Sequence, residues 1–185
     1  MEGKRIKILN VEDEEVDQMA LMRMVREKGL NYDVDWAANL AQANEFLGKN
    51  RYDVVLLDYI MPDGTGLDVL KSIKGAASIF LTGSGDEMVA VKAMKGGVYD
   101  YIIKDPTGGY LELLPLSIEK AIHTFKLEEE KKRSEAELKT RLEEERRLNK
   151  LLIEREFRIK ELRDENERLK TEIQDLKLKI QDLGK

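Results

Sequence analysis

From Ala121 to the carboxyl terminus the chain carries no proline and one glycine, Gly184. The first 120 residues hold 12 of the 13 glycines and all three prolines, Pro62, Pro106 and Pro115. Nothing in the rear third breaks a helix before its last two residues, so it reads as an uninterrupted helical rod. In the front, Gly and Pro punctuate short segments, as in a folded α/β unit. Charge divides at the same place. The front holds 14 basic and 20 acidic residues, net −6, and the rear 18 and 17, net +1. The expected division is a folded domain over 1–126 and a helical stalk over 127–185.

Several classes fall away. Without cysteine there is no disulfide framework, thiol nucleophile or Cys-ligated zinc. No apolar run exceeds four residues, as in Val54–Leu57, against about 20 for a membrane span. Met1–Asn10 contains no apolar signal core. The expectation is a soluble, cytoplasmic protein without a membrane partner. Phosphate backbones select clustered cations, so the acidic front argues against nucleic acid.

The front alternates two periods. Ile6–Val11, Tyr32–Ala37, Tyr52–Leu57, Ser78–Leu81 and Tyr99–Ile103 read as strands, the third buried on both faces. Helical spacing follows over Val16–Val25 with a stop at Lys28-Gly29, then over Leu40–Leu47 with a stop at Gly48. A third helix is expected over Leu67–Ile73, a fourth over Asp86–Lys95, and a last from near Leu113 with Pro115 in its first turn. Five strands alternating with five helices predict an α/β fold with a doubly wound five-stranded parallel sheet. Such sheets bind ligands at the carboxyl ends of their strands.

Those ends carry chemistry. Strand one ends in Glu12-Asp13, strand three in Asp58, strand four in Thr82 and strand five in Lys104. Three carboxylates at one edge repel one another, which a hard cation such as Mg²⁺ relieves. Asp58, held at the end of a buried strand, suits a carboxylate nucleophile toward phosphorus. Thr82 and the Gly83 amide suit phosphoryl oxygens, and Lys104 suits the added charge.

With those residues in order, the chain resembles the receiver domain of two-component response regulators, a flavodoxin-like, CheY-like fold. The resemblance covers about residues 4–126. It rests on Glu12-Asp13 after IKILNV, Asp58 in DVVLLDYIMPDGTGLDVL, Thr82 in IFLTGSG and Lys104 in YDYIIKDP. It implies that Asp58 accepts a phosphoryl group from a cognate histidine kinase or phosphotransfer protein. It further implies that Asp13, Asp58 and the backbone carbonyl of Ile60 coordinate Mg²⁺, or Mn²⁺ in its place, with Glu12 acting through water. Thr82 and Tyr101 match the family's switch pair. The side chains of Ile60 and Ser84 occupy positions that tune loss of the phosphoryl group. An apolar Ile60 offers the attacking water no hydrogen bond, so slow self-dephosphorylation is expected. The chain departs from the common pattern in having Glu at position 12 and Asp105 between Lys104 and Pro106.

The last helix is expected to continue as a rod of roughly 95 Å from Ala121 to Leu183, at 1.5 Å per residue. Its end carries a heptad: Leu152, Ile159, Asn166, Ile173 and Ile180 at a, and Leu162, Leu169, Leu176 and Leu183 at d. β-Branched a, Leu at d and one Asn at a favour a parallel two-stranded coil. Glu165 facing Lys170 and Glu172 facing Lys177 agree with that pairing. Leu138 and Leu142 suit a frame offset by three, so a discontinuity is expected between Leu142 and Leu148. Glu143–Glu145 beside Arg146-Arg147 is unlike the basic region of a DNA-binding zipper, and His123 lacks the acidic and proline context of a kinase histidine.

The expected function is a phosphoacceptor signalling protein, not an enzyme releasing a product. It would pass its state to a homodimeric coil that is itself the output or leads to an effector domain beyond residue 185. The alternative is a dimeric scaffold or phosphate sink whose coil docks a partner without a transmitted switch.

Overall fold

The apolar runs form strands in a computed structural model that describes residues 5–83, 91 and 94–183, with side chains through 177. In chain order the elements are β1 (Ile6–Val11), α1 (Glu15–Glu27), β2 (Tyr32–Ala37), α2 (Leu40–Lys49), β3 (Val54–Asp58), β4 (Ile60–Met61), β5 (Gly64–Thr65), α3 (Gly66–Leu70), β6 (Ala77–Thr82), β7 (Asp100–Ile103) and α4 (Tyr110–Leu183). The fourth expected helix, Asp86–Lys95, lies largely outside the described residues.

One sheet has the order β2-β1-β3-β6-β7, and all its pairings are parallel. The order turns back at β1, so the carboxyl ends of β1 and β3 flank the switch point. Alternate side chains sort the core between the two faces. Val54 and Leu56 pack with Ile8, Ile79, the α1 residues Leu21, Met24 and Val25, and the start of α4. Val55 and Leu57 pack with Leu9, Val11, Leu40, Ala43, Val69 and Phe80. Burial on both faces explains why β3 is an apolar run and not an alternating one.

Helix ends agree with the sequence where the backbone signal is strong. Gly29 has φ +62, its N–H bonds the Arg26 carbonyl at 3.2 Å, and the Leu30 N–H bonds Val25 at 3.0 Å. That left-handed glycine with two reversed bonds closes α1. Gly48, expected to end α2, lies inside it. The helix runs to Lys49, and an extended Asn50 caps it by donating to Phe46; Gly48 has no left-handed φ to force an earlier stop. α3 is shorter than expected and passes through turn bonds from Ser72 to Val69 and from Ile73 to Leu70. The Pro62-Asp63 break forms the tip of a small antiparallel hairpin, β4–β5.

The last helix starts at Tyr110, earlier than expected, because Asp105 caps it. Its carboxylate accepts the Gly109 and Tyr110 N–H groups at 3.0 and 2.7 Å, and the Thr107 hydroxyl also donates to it. Pro115 therefore sits in the second turn, where the Leu111 carbonyl forgoes its helical partner. Tyr110, Leu114, Ile118, Ala121 and Ile122 are buried at helical spacing and join the sheet core. Tyr99, just before β7, packs edge-on against Phe125 and donates its hydroxyl to Glu128 at 2.8 Å.

The chain divides into two compact units, Met1–Glu130 and Lys131–Lys185. The second unit is helical throughout its described residues, and its side chains are exposed through residue 177. Among the described residues, no helix is long and apolar enough to cross a membrane.

Candidate functional site

Glu12 follows β1, and its backbone is fixed on both sides. Its N–H donates to the Ala37 carbonyl at 3.0 Å, and the Trp36 indole N–H donates to its own carbonyl. The residue is 1% exposed, and its side chain accepts the Glu14 N–H at 3.3 Å. Asp58 ends β3, in register with Leu81 of β6. Its Oδ1 accepts the Ile60 N–H at 3.4 Å. Close approach at this point requires a glycine: a Cβ on Gly66 would come within 2.3 Å of the Asp58 carbonyl.

Lys104 follows β7 and is anchored by its N–H on the Thr82 carbonyl at 2.7 Å. Its ammonium meets three carboxylates, at 2.5 Å from Glu12, 2.7 Å from Asp58 and 2.8 Å from Asp17. Burial pulls the lysine pKa down, but the hydrogen bonds it donates to Asp17, Asp58 and Glu12 outweigh that and hold the group above its ordinary value. Burial pushes Glu12 above the usual carboxylate range, opposed by Lys104 and reinforced by the charge of Asp58. Thr82 is 2% exposed at the end of β6, and its hydroxyl donates to the Gly83 carbonyl at 3.2 Å.

A cavity of about 380 Å³ opens over these groups, lined by Asp13, Glu14, Asp17, Asp58, Tyr59, Ile60, Thr82, Gly83 and Lys104. Glu12, Asp13 and Asp58 each offer a carboxylate oxygen within 4.8 Å of the others. All-oxygen donors of this kind fit a small hard cation, Mg²⁺ or Mn²⁺. Glu12, Asp13, Asp17 and Asp58 outnumber the single Lys104, so the mouth attracts cations.

The fold thus gathers Glu12, Asp13, Asp58, Thr82, Gly83, Lys104 and the backbone of Ile60 at one edge. It does not bring Tyr101 there: that side chain is 40% exposed and is absent from the cavity wall. Ser84 lies outside the described residues, as do the side chains of Ile180 and Leu183. Leu152, Ile159, Leu162, Asn166, Leu169, Ile173 and Leu176 are exposed along the second unit. Asp17 was missed by sequence reasoning because an acid in a first helical turn is ordinary dipole compensation. Its position four residues after Asp13 was the available signal. Trp36 gave none, since its contact is to backbone.

A doubly wound parallel sheet with an acid cluster and a lysine at its switch point defines a class of small α/β proteins. The profile of the response regulator receiver domain matches residues 8–112, and the chain belongs to that family, whose members serve two-component signalling. Methanogenesis regulatory protein FilR1 of Methanothrix harundinacea is 30% identical over 122 residues, 62% of this chain and 27% of that protein. Transcriptional regulatory protein ResD of Bacillus subtilis is 38% identical over 101 residues, 53% of this chain and 41% of that protein. The chain thus spans less than half the length of either. A response regulator receiver domain from Clostridium thermocellum superposes with a TM-score of 0.56 at 33% identity, covering 66% of this chain and 98% of that one.

Proposed function

We propose that Asp58 is a phosphoacceptor. A carboxylate oxygen of Asp58 attacks the phosphorus of a phosphohistidine on a partner kinase or phosphotransfer protein. The P–O bond forms as the P–N bond breaks, and the imidazole leaves with the electron pair. The ring of Glu12, Asp17, Asp58 and Lys104 contacts carries this reading, because it fixes a nucleophile beside a positive charge. Lys104 then transfers its contact from Asp58 to a phosphoryl oxygen, and the Thr82 hydroxyl and Gly83 amide donate to the others. Asp13, Asp58 and the Ile60 carbonyl, with Glu12 through water, would hold Mg²⁺, which would supply positive charge against the repulsion between carboxylate and phosphoryl group. Tyr101 turns inward with Thr82 as the switch pair. Slow hydrolysis follows from the apolar Ile60, with Ser84 at the second tuning position, and Ile60→Asn should shorten the lifetime of the phosphorylated form.

In this reading residues 1–126 are the receiver and 127–185 a stalk that pairs in parallel with a second copy. The protein acts in the cytoplasm, with any effector joined beyond residue 185. The row of exposed apolar side chains from Leu152 to Leu176 supports the pairing. The test is acetyl phosphate with Mg²⁺: the wild type should gain one phosphoryl group and Asp58→Asn none. The same exposed row also suits a dimeric scaffold that does not transmit the switch. Beryllofluoride with Mg²⁺ separates the two, since only a transmitted switch changes dimer affinity or interspin distances along the stalk.

A further inference from the structure

The hairpin that carries Ile60 is tied to a different part of the fold. Asp63, at its tip, accepts the Leu40 N–H on Oδ1 at 2.9 Å and the Ala41 N–H on Oδ2 at 3.1 Å. These are the first two residues of α2. The third N–H, of Gln42, bonds the Asn39 side chain at 2.8 Å, and the Gln42 side chain accepts the Ala38 N–H at 2.9 Å. Three of the four donors that a helix start leaves open are thereby occupied by side chains. Two of those three are held by Asp63, from a loop more than 20 residues away. Packing closes the same joint: a Cβ on Gly64 would lie 2.8 Å from Leu40 Cδ1.

At its other end the hairpin places Ile60 in the cavity wall. The Gly66 N–H bonds the Tyr59 carbonyl at 3.0 Å, so the facing pair Ile60 and Thr65 is of the type that exchanges no hydrogen bonds. Thr65 instead gives its N–H to Asp68 at 2.9 Å. The ladder therefore leaves the Ile60 carbonyl available to a ligand. Its position depends on where the hairpin is pinned, and the pin on the α2 side is Asp63.

We infer that Asp63 is a positioning residue for the cation site: by clamping the start of α2 it sets the place of the Ile60 carbonyl, and with it selectivity for Mg²⁺. The inference rests on the proposed role of that carbonyl as a ligand. Mg²⁺ demands near-ideal octahedral geometry at short distances, whereas Ca²⁺ accepts looser and more numerous ligands. A carbonyl displaced by a few tenths of an ångström should therefore penalise Mg²⁺ more. Loss of an outer positioning group typically weakens metal binding by about tenfold or more.

The experiment titrates Mg²⁺ and Ca²⁺ separately into the full chain and follows Trp36 fluorescence. Trp36 is the single tryptophan, and its indole bonds the Glu12 carbonyl. Asp63→Ala should lower Mg²⁺ affinity by about tenfold and Ca²⁺ affinity by less than about threefold. Asp63→Asn, which keeps one acceptor oxygen, should lie between; if Asp63→Ala does not fold, this variant decides. Unchanged Mg²⁺ affinity, or an equal loss for both ions as from simple fraying of α2, overturns the inference alone. A wild-type chain that binds no Mg²⁺ overturns the metal site and the inference with it.

Discussion

Lys104 Nζ stands 2.7 Å from Asp58 Oδ2, joining the ends of β7 and β3 at the switch point of the sheet. The same ammonium serves Glu12 and Asp17, so it offsets three charges that would otherwise confront one another. Removing one member of a buried charge cluster costs about 3–5 kcal/mol because the remainder is left uncompensated. Lys104→Met should lose about that much in urea unfolding without divalent cations. Added Mg²⁺ should restore more stability to the variant than it gives the wild type. Equal stabilisation of both would separate the lysine from the cation site.

Asp105 gives a pH dependence with a definite sign. The Thr107 hydroxyl and the Gly109 and Tyr110 amides hold its carboxyl down to about 2. The unfolded carboxyl titrates near about 3.9. Its contribution is therefore present above about pH 4 and is lost as pH falls through about 2. Carboxyl carbon chemical shifts should place its native midpoint near that low value. Asp105→Asn should flatten the stability curve between those limits, and a midpoint near 4 would contradict the capping role.

Tyr99 fastens the helix where it leaves the sheet core. Burial and the Glu128 carboxylate raise its phenol to about 12. Tyr99→Phe keeps the ring against Phe125 and deletes one hydrogen bond, so a loss of about 1 kcal/mol is expected in chemical denaturation. Tyr99→Ala, which also deletes the ring contact, should cost more. Equal losses would mean that the bond to Glu128 adds nothing.

The stalk makes a prediction about assembly. If Leu162 and Leu169 are seam residues, truncating either to Ala should weaken the dimer by about 2 kcal/mol or more, at least about tenfold in Kd. Asn166→Leu should raise thermal stability while admitting higher oligomers. Sedimentation equilibrium reads both, and a monomeric wild type would remove the parallel-coil reading.

The sheet was legible because buried parallel strands write themselves as apolar runs, and β3 is the clearest. The strand-end acids, Thr82 and Lys104 followed from where those runs stop. Less legible were features set by contacts between distant segments. Nothing local marks Asp17 as a partner of Lys104, and Pro62-Asp63 reads as a simple break until Asp63 is seen on α2. The start of α4 is not legible locally, because Asp105 reaches forward over a loop to cap it. Gly48 misled because glycine stops a helix only where the backbone turns left-handed, as Gly29 does. Periodicity does not encode the exposure of the Tyr101 side chain.

The proposed role of Asp58 as carrier of the phosphoryl group can be read out covalently. Treating the full chain with acetyl phosphate and Mg²⁺, reducing the product with borohydride and sequencing the peptides by mass spectrometry tests it directly. Residue 58 alone should be converted to homoserine, and Asp58→Asn should yield no converted residue. Conversion at Glu12, Asp13 or Asp17 instead, or labelling that survives in Asp58→Asn, would contradict it.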